Sequence, residues 1–191
     1  MDSALSAHFA EDLSAITEKP HNAYYPHMTP DDLIEMELIR QLKYRYARCL
    51  DTKQWDQFED ILTPDATAAY SGGAHSFDGR DAIIAFMVES MGSTNMLTSH
   101  TMTSPEIRLL SPTTAEGTWA LRDEVVMLDW QMTVRGAAYY EDRYVKLDGR
   151  WWIQHTGYRR IYEEIFGRGD ISSLRLTAHW WDTDGRSTLG G

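Results

Sequence analysis

Apolar residues recur at every third or fourth position after residue 31, which is the spacing of one helix face. This face consists of Ile39, Leu42, Tyr46 and Cys49. Thr29 and Pro30 precede it, and they form a helix start because threonine can cap a helix and proline fits its first turn. The pattern therefore predicts a helix over residues 31–50.

The rest of the first half predicts two shorter helices with a hairpin between them. We expect the helices over 55–62 and 81–91, and the hairpin over 66–78 with its turn at Gly72-Gly73. The first of these helices must stop before Pro64.

The second half of the chain has the composition of strands. Four segments qualify, at 97–110, 114–128, 134–147 and 150–163. Ser111-Pro112 separates the first two segments, and Asp148-Gly149 is a tight-turn signal between the last two. Helices followed by consecutive long strands predict an α+β fold with a mostly antiparallel sheet. Such a sheet needs cover on its second face, which predicts a homo-oligomer.

Three regions are expected along the chain. Residues 1–28 are predicted to be an N-terminal extension whose first part forms a short helix, residues 29–166 the catalytic domain, and residues 167–191 a C-terminal tail. The tail contains Trp180-Trp181, and paired tryptophans in a polar tail are expected to pack on the domain or on a partner.

Composition and charge argue against several classes of function. The formal net charge of −11 argues against nucleic-acid binding as the main role, because phosphates would be repelled. No apolar run approaches the roughly 18 residues that span a bilayer, and no signal peptide is recognisable, so no membrane association is expected. Cys49 is the only cysteine, which excludes an internal disulfide and fits a reducing cytoplasm.

A carboxylate falls on the apolar face of the second predicted strand. Alternation places Asp123 on the same face as Trp119 and Leu121. If this strand pairs with the preceding one around Ser111-Pro112, residues whose numbers sum to about 223 face each other, and His100 faces Asp123. Two interpretations stay open. Asp123 either makes a buried structural pair, for example with an arginine, or it orients His100 as a general base.

Tyr46 and Asp51 are the next candidates for chemistry. Tyr46 lies on the apolar helix face, and Asp51 lies at the end of that helix, where the negative end of the dipole should raise the pKa of its carboxyl. The alternatives are a core tyrosine and an exposed aspartate. The sequence shows no metal-ligand spacing that we recognise, no glycine-rich phosphate loop and no Gly-x-Ser-x-Gly motif.

Several segments resemble one family in order and spacing. They read IRQLKYRYARCLDTKQW, TPDATAAYSGG, SHTMTSPEIRLL, AEGTWALRDEVV, GAAYYEDRYVKLDGRWWI and HTGYRRIYEE. Together they resemble the SnoaL-like branch of the nuclear transport factor 2-like superfamily, and within it the bacterial bile acid 7α-dehydratases. The resemblance covers roughly residues 33–166. It implies a cone-shaped, curved mixed or antiparallel sheet closed by N-terminal helices, a pocket in the cone, a homotrimer, and no metal or organic cofactor.

The resemblance also implies site residues. The family's catalytic tyrosine and aspartate fall on Tyr46 and Asp51 in YARCLD, its histidine on His100, its second aspartate on Asp123, and its arginine on Arg160 in GYRRIY. His100 is expected to take a proton while Asp123 orients it, and Tyr46 to donate to the substrate oxygen. Asp51 would support Tyr46 or protonate the leaving hydroxyl. Arg160 would contact substrate at the pocket mouth, or form a salt bridge with Glu163 or Glu164.

The implied reaction is a hydro-lyase reaction that removes the 7-hydroxyl of a 3-oxo-4-ene steroid as water and leaves a 4,6-dienone. The steroid's side chain, free or conjugated to coenzyme A, stays open, because the extension, the tail and residues 79–96 depart from the family pattern. Two alternatives remain. One is another reaction on this scaffold, such as isomerisation, cyclisation, dehydrochlorination or scytalone dehydration, and the other is a non-catalytic steroid-binding module.

Overall fold

The computed structural model describes residues 28–189. The described part of the chain divides into two units between Glu35 and Met36. In chain order the elements are α1 (Pro30–Asp51), a 3-10 helix (Trp55–Asp60), β1 (Leu62–Tyr70), a 3-10 turn (Ser71–Gly73), β2 (His75–Asp78), α2 (Arg80–Met91), β3 (Met96–Ser111), β4 (Thr114–Met127), β5 (Met132–Leu147), β6 (Arg150–Gly167), a 3-10 turn (Arg168–Asp170) and α3 (Trp180–Thr183).

Helix α1 starts and ends with capping motifs. The Thr29 hydroxyl accepts a hydrogen bond of 3.2 Å from the backbone N–H of Asp32, whose carboxylate accepts one of 2.8 Å from the Thr29 N–H. At the other end, Lys53 adopts a left-handed φ of 54° and the N–H of Gln54 donates to the Cys49 carbonyl at 2.8 Å. These caps place Asp51 at the last helical position.

The buried face of α1 includes every residue of the predicted apolar face and one charged residue that the pattern did not include. Ile39, Leu42, Tyr46 and Cys49 are all buried, as predicted, and so is Lys43.

The six strands form one mixed sheet in the order β2-β1-β6-β5-β4-β3. Strands β1 and β6 run parallel, and every other neighbouring pair is antiparallel. The four long strands and their turns confirm the predicted segments to within a few residues. The α+β fold class is confirmed, with a mixed sheet and few helices as in the SnoaL-like cone fold.

One predicted helix is shorter than expected. Residues 55–62 were expected to be helical, but Leu62 begins β1 and pairs with Ile153 of β6. The reason is burial, because Ile61 and Leu62 are fully buried and Leu62 lies in the sheet beside Ile153. The predicted hairpin is confirmed, with β1 and β2 joined through Ser71–Gly73.

The predictions for the C-terminal tail and for the N-terminal extension have different outcomes. The ammonium of Lys53 lies 4.7 Å from the ring of Trp181, whereas Trp180 is 58% exposed, so the predicted packing holds for Trp181 alone. The short helix expected in the extension lies outside the described residues. The region bounds and the homotrimer stay predictions. Among residues 28–189, no helix has the length and apolar character needed to cross a membrane.

The β5–β6 turn offers a test of the local backbone. Gly149 has a φ of 79°, and a Cβ added there would meet nothing within 4 Å. Gly149→Ala should therefore lower the free energy of unfolding by about 1 kcal/mol through backbone strain alone. Gly169→Ala is the matched control, since its φ is ordinary and its surroundings are equally open. Urea denaturation of both variants measures the difference, and equal values would contradict the prediction.

Candidate active site

A cavity of about 210 Å³ lies between the sheet and the helices of the larger unit. Its lining combines hydroxyl, imidazole, carboxylate and guanidinium groups with apolar side chains. The lining residues are Tyr46, Leu50, Tyr70, Ser71, His75, Phe86, Met87, Ser90, Met91, His100, Leu121, Asp123, Val125, Tyr140, Tyr158 and Arg160. Four of the five predicted site residues are in this set, and the fifth, Asp51, contacts His100 directly.

The predicted register of β3 and β4 is confirmed, but the predicted hydrogen bond across it is wrong. His100 and Asp123 are direct partners in the ladder, and both line the cavity. The Nδ1 atom of His100 nevertheless bonds to the Asp51 Oδ1 atom, at 2.6 Å. Asp123 is paired with Arg160 instead.

Asp51 is held as an ionised acceptor by β3. Its carboxylate accepts hydrogen bonds from the His100 N–H at 2.8 Å and the Thr98 hydroxyl at 2.9 Å, in addition to the His100 ring. Burial raises the pKa of Asp51, but these contacts outweigh it and the net pKa is lowered. The raised pKa expected from the helix dipole is therefore wrong, because three local donors act more strongly than the diffuse field of the helix end.

This contact prepares His100 to accept a proton. With the Nδ1–H donated to an ionised carboxylate, the lone pair of the neutral ring lies on Nε2. The side chain of His100 is only 8% exposed, so Asp51 fixes both its tautomer and its orientation at the cavity wall. Asp51 thus has the orienting role that the sequence assigned to Asp123.

Asp123 and Arg160 form the second polar pair of the cavity. The two terminal nitrogens of Arg160 donate to the two carboxylate oxygens of Asp123 at 2.5 and 2.8 Å. This two-point contact with a permanent cation gives Asp123 a stronger partner than a neutral imidazole would. The Arg160 Nε atom also lies 3.1 Å from Glu163, so one of the alternative salt bridges is present as well.

Arg160 reaches Asp123 across the intervening strand β5. Asp123 faces Gly136 in β5, which in turn faces Glu163 in β6. A Cβ at Gly136 would lie 3.0 Å from the Arg160 Nη1 atom and 2.6 Å from the Tyr162 carbonyl oxygen. The missing side chain therefore permits the close approach of the Tyr162 backbone and leaves room for the Arg160 guanidinium.

Two bulges explain why alternation did not indicate the orientation of Arg160. The β5–β6 register shifts so that Ile161 and Gln154 each add one residue to β6. A bulge moves the residues beyond it to the other face. The sequence therefore shows no continuous apolar face along β6.

A group of tyrosines forms the remaining polar wall. The Tyr46 and Tyr70 hydroxyls lie 3.1 Å apart, and Tyr158 bonds to the Ser71 hydroxyl at 3.1 Å. Burial raises the pKa values of Tyr46, Tyr70 and Tyr140 well above the usual value, so these phenols stay protonated and can donate.

The sequence patterns did not indicate Tyr70, Tyr140 and Tyr158 as site residues. Tyr70 ends the first strand of the predicted hairpin, and Tyr140 shares a buried face with Tyr144 in β5, so a count of inward-facing aromatic residues would have found both. Tyr158 lies between the two bulges of β6, where alternation gives no such signal.

Part of the cavity lining is apolar. Leu50, Met87 and Leu121 contribute apolar walls, with Phe86 and Met91 from the same helix as Met87. Within residues 28–189, no group of three or more histidine, cysteine or acidic side chains is arranged to hold a metal ion.

Comparisons with known proteins agree with this architecture. A profile of the SnoaL-like domain matches residues 31–157. The fold is similar to a candidate scytalone dehydratase from Novosphingobium aromaticivorans, with a TM-score of 0.67, 22% identity and coverage of 84% of this chain and 99% of that one. It is also similar to LinA-type3 hexachlorocyclohexane dehydrochlorinase from Novosphingobium barchaimii LL02, with a TM-score of 0.65, 17% identity and coverage of 78% and 98%.

A curated relative is similar in sequence over most of the chain. Probable cyclase FGR4 of Gibberella zeae is 24% identical in an alignment 142 residues long, which covers 67% of this chain and 92% of that protein.

The contacts of Asp51 predict a pH-dependent contribution to stability. Because the folded-state pKa lies below the ordinary value of 3.8, the ionised carboxylate stabilises the fold at neutral pH and loses this effect as the pH falls through the folded pKa. Asp51→Asn should cost about 1–3 kcal/mol at pH 7, and the cost should decrease as the pH falls below 3.8. Urea denaturation across this range measures it, with Asp65→Asn, an exposed carboxylate, as control. A cost that stays constant with pH would contradict the assignment.

The Asp123–Arg160 pair predicts that removing Arg160 alone destabilises the fold, because the Asp123 carboxylate then has no compensating cation. Arg160→Gln leaves a carboxylate whose side chain is 4% exposed without its cation, and should cost about 3–5 kcal/mol. The double variant Asp123→Asn, Arg160→Gln should recover most of that loss. Thermal and urea unfolding of both variants provide the comparison, and an equally unstable double variant would show that Arg160 acts through other contacts.

Proposed function

The chain belongs to the SnoaL-like domain family, and on that premise we propose that it is a lyase that removes water from a hydroxylated polycyclic ketone. The substrate class we infer is a 3-oxo-4-ene steroid with a hydroxyl at C7, and the product is the 4,6-dienone. One observation carries the proposal. The His100 ring, fixed by a 2.6 Å contact with Asp51, lines the same cavity as buried tyrosine hydroxyls.

His100 removes the proton in this mechanism. The C6–H bond is acidified through the conjugated ketone, so its electron pair moves into a dienolate while the proton goes to Nε2 of His100. The resulting imidazolium is stabilised by the Asp51 carboxylate, whose lowered pKa keeps it ionised. Asp51 therefore orients and stabilises His100, and it carries no proton to give.

The tyrosines receive the developing negative charge. Tyr46 donates a hydrogen bond to the C3 oxygen, and Tyr70, 3.1 Å from Tyr46, orients that hydroxyl or donates a second bond. One such donor is worth about 3 kcal/mol of transition-state stabilisation. The buried setting strengthens the contact because few water dipoles compete with it.

Collapse of the dienolate completes the reaction. The C7–O bond breaks, its electrons leave with the hydroxyl, and the proton held by the His100 imidazolium converts that hydroxyl to water. One group thus acts as base and then as acid, which requires the C6 proton and the C7 hydroxyl to lie on the same face of the ring.

Cavity size determines how such a substrate sits. About 210 Å³ is less than the roughly 300–1,000 Å³ of pockets that enclose a drug-sized ligand. In this proposal the reacting rings occupy the cavity, and the rest of the steroid extends out of it. In this proposal Arg160, which lines the cavity and is held by Asp123, contacts the substrate.

Turnover of a 7-hydroxy-4-en-3-one steroid tests the proposal. The dienone product absorbs at longer wavelength than the enone, so absorbance follows the reaction. His100→Ala should lose most activity, and Tyr46→Phe should lose about 10²–10³-fold because the oxyanion loses its donor. A 7-hydroxysteroid without the 3-oxo-4-ene group should be inert.

Two matched variants serve as controls. His155→Ala removes a histidine that bonds to Thr67 outside the cavity, and Tyr162→Phe removes the hydroxyl of a tyrosine that does not line it. Both should retain wild-type rates. Equal turnover of the saturated steroid would remove the dienolate from the mechanism, and absence of turnover with tight steroid binding would favour a binding module.

A further inference from the structure

A buried ion pair that the proposed mechanism does not use lies behind the tyrosine wall. The Lys43 Nζ atom of α1 is 2.7 Å from the Asp142 Oδ2 atom of β5, and both side chains are 0% exposed. Neither residue lines the cavity. Lys43 has the Thr156 hydroxyl as a further polar neighbour, at 3.4 Å.

Stability alone is a weak reason for such a pair. Removing two charges from water costs about as much as their attraction returns, and well-packed apolar replacements are often as stable or more so. Asp142 Oδ1 accepts no hydrogen bond from any residue in the described part of the chain. This incompletely satisfied carboxylate depends on Lys43 for most of its compensation.

The cationic end of the pair faces the tyrosines. The Lys43 Nζ atom lies 3.8 Å from the centre of the Tyr140 ring and 4.5 Å from that of Tyr46. Both rings line the cavity. The carboxylate end accepts a hydrogen bond of 2.7 Å from the Tyr144 hydroxyl, which itself accepts one of 2.9 Å from the Trp119 indole.

A cation on a ring face withdraws electron density from that ring. In a phenol this withdrawal makes the hydroxyl hydrogen more positive, and the hydroxyl becomes a stronger donor to an anion. The field of Lys43 therefore reaches the cavity through the rings of Tyr46 and Tyr140. It needs no contact between the ammonium and the ligand.

We propose that Lys43, fixed by Asp142, is a positioning residue that strengthens the Tyr46 and Tyr140 hydroxyls as donors to an oxyanion in the cavity. The inference rests on the proposed function in one respect, namely that an oxygen of the ligand becomes anionic beside Tyr46. The pair selects for ligands that carry an enolate or phenolate oxygen there. It gives no advantage to the corresponding neutral ether.

The test replaces the pair without changing the net charge of the chain. Lys43→Met with Asp142→Asn keeps the side-chain volumes close to native and retains an acceptor for the Tyr144 hydroxyl. The probes are 4-nitrophenol, at a pH where it is ionised, and 4-nitroanisole, its neutral methyl ether. Binding of each is measured by absorbance or calorimetry, so that no turnover is required.

The double variant should bind nitrophenolate about ten-fold more weakly and nitroanisole with unchanged affinity. In a Tyr46→Phe background the same pair of substitutions should have a much smaller effect on nitrophenolate, because the hydroxyl through which Lys43 acts is absent. Where the steroid is turned over, kcat should fall by a similar factor with KM little changed.

A purely structural role predicts a different result. The two probes would then change in parallel, or neither would change, and either outcome overturns the proposal. Arg108→Met with Glu116→Gln is the matched control, since it removes an exposed ion pair of 2.6 Å that lies outside the cavity, and it should leave both affinities unchanged. A different result would separate the two proposals. If the unsubstituted protein does not turn over the steroid, but the double variant still weakens the binding of nitrophenolate and not of nitroanisole, the proposed function is contradicted and this inference stands.

Discussion

The geometry of the cavity depends on the hydrogen bonds that the Asp51 carboxylate accepts. This carboxylate joins the last residue of α1 to β3, which is an edge strand of the sheet. An edge strand has backbone N–H groups without a strand partner, and Asp51 accepts one of them from His100 together with the ring Nδ1–H. One side chain therefore fixes the end of the helix, the strand and the imidazole in a single arrangement.

Two further charged pairs lie near this contact, one in the cavity wall and one behind it. Asp123 and Arg160 lie within the cavity wall, where each compensates the charge of the other and presents a guanidinium to the ligand. Lys43 and Asp142 lie behind the wall and contribute only a field. The polar groups that face the ligand are thus mostly neutral donors with raised pKa values, which suits a site that binds a neutral molecule and stabilises charge as it forms.

Local patterns predicted most of the fold, and the pairing of distant side chains was the part that they could not predict. The strands and the facing of His100 and Asp123 follow from alternation and a short turn. The actual partners, Asp51 and Arg160, lie 49 and 37 residues away along the chain and approach only in the folded protein. Family resemblance named these residues without their pairing. Lys43 was missed because a lysine among polar neighbours normally indicates a solvent-exposed position.

The residue at position 136 can be used to predict whether a related sequence has the same Asp123–Arg160 ion pair. A side chain at that position would crowd the Tyr162 carbonyl and the Arg160 guanidinium, so we expect Asp123, Gly136 and Arg160 to vary together among homologues. In homologous chains that keep the aspartate and the arginine but carry a larger residue between them, we expect a different ion pairing. Sorting family members by this triplet would separate chains that share this electrostatic layout from those that share only the scaffold.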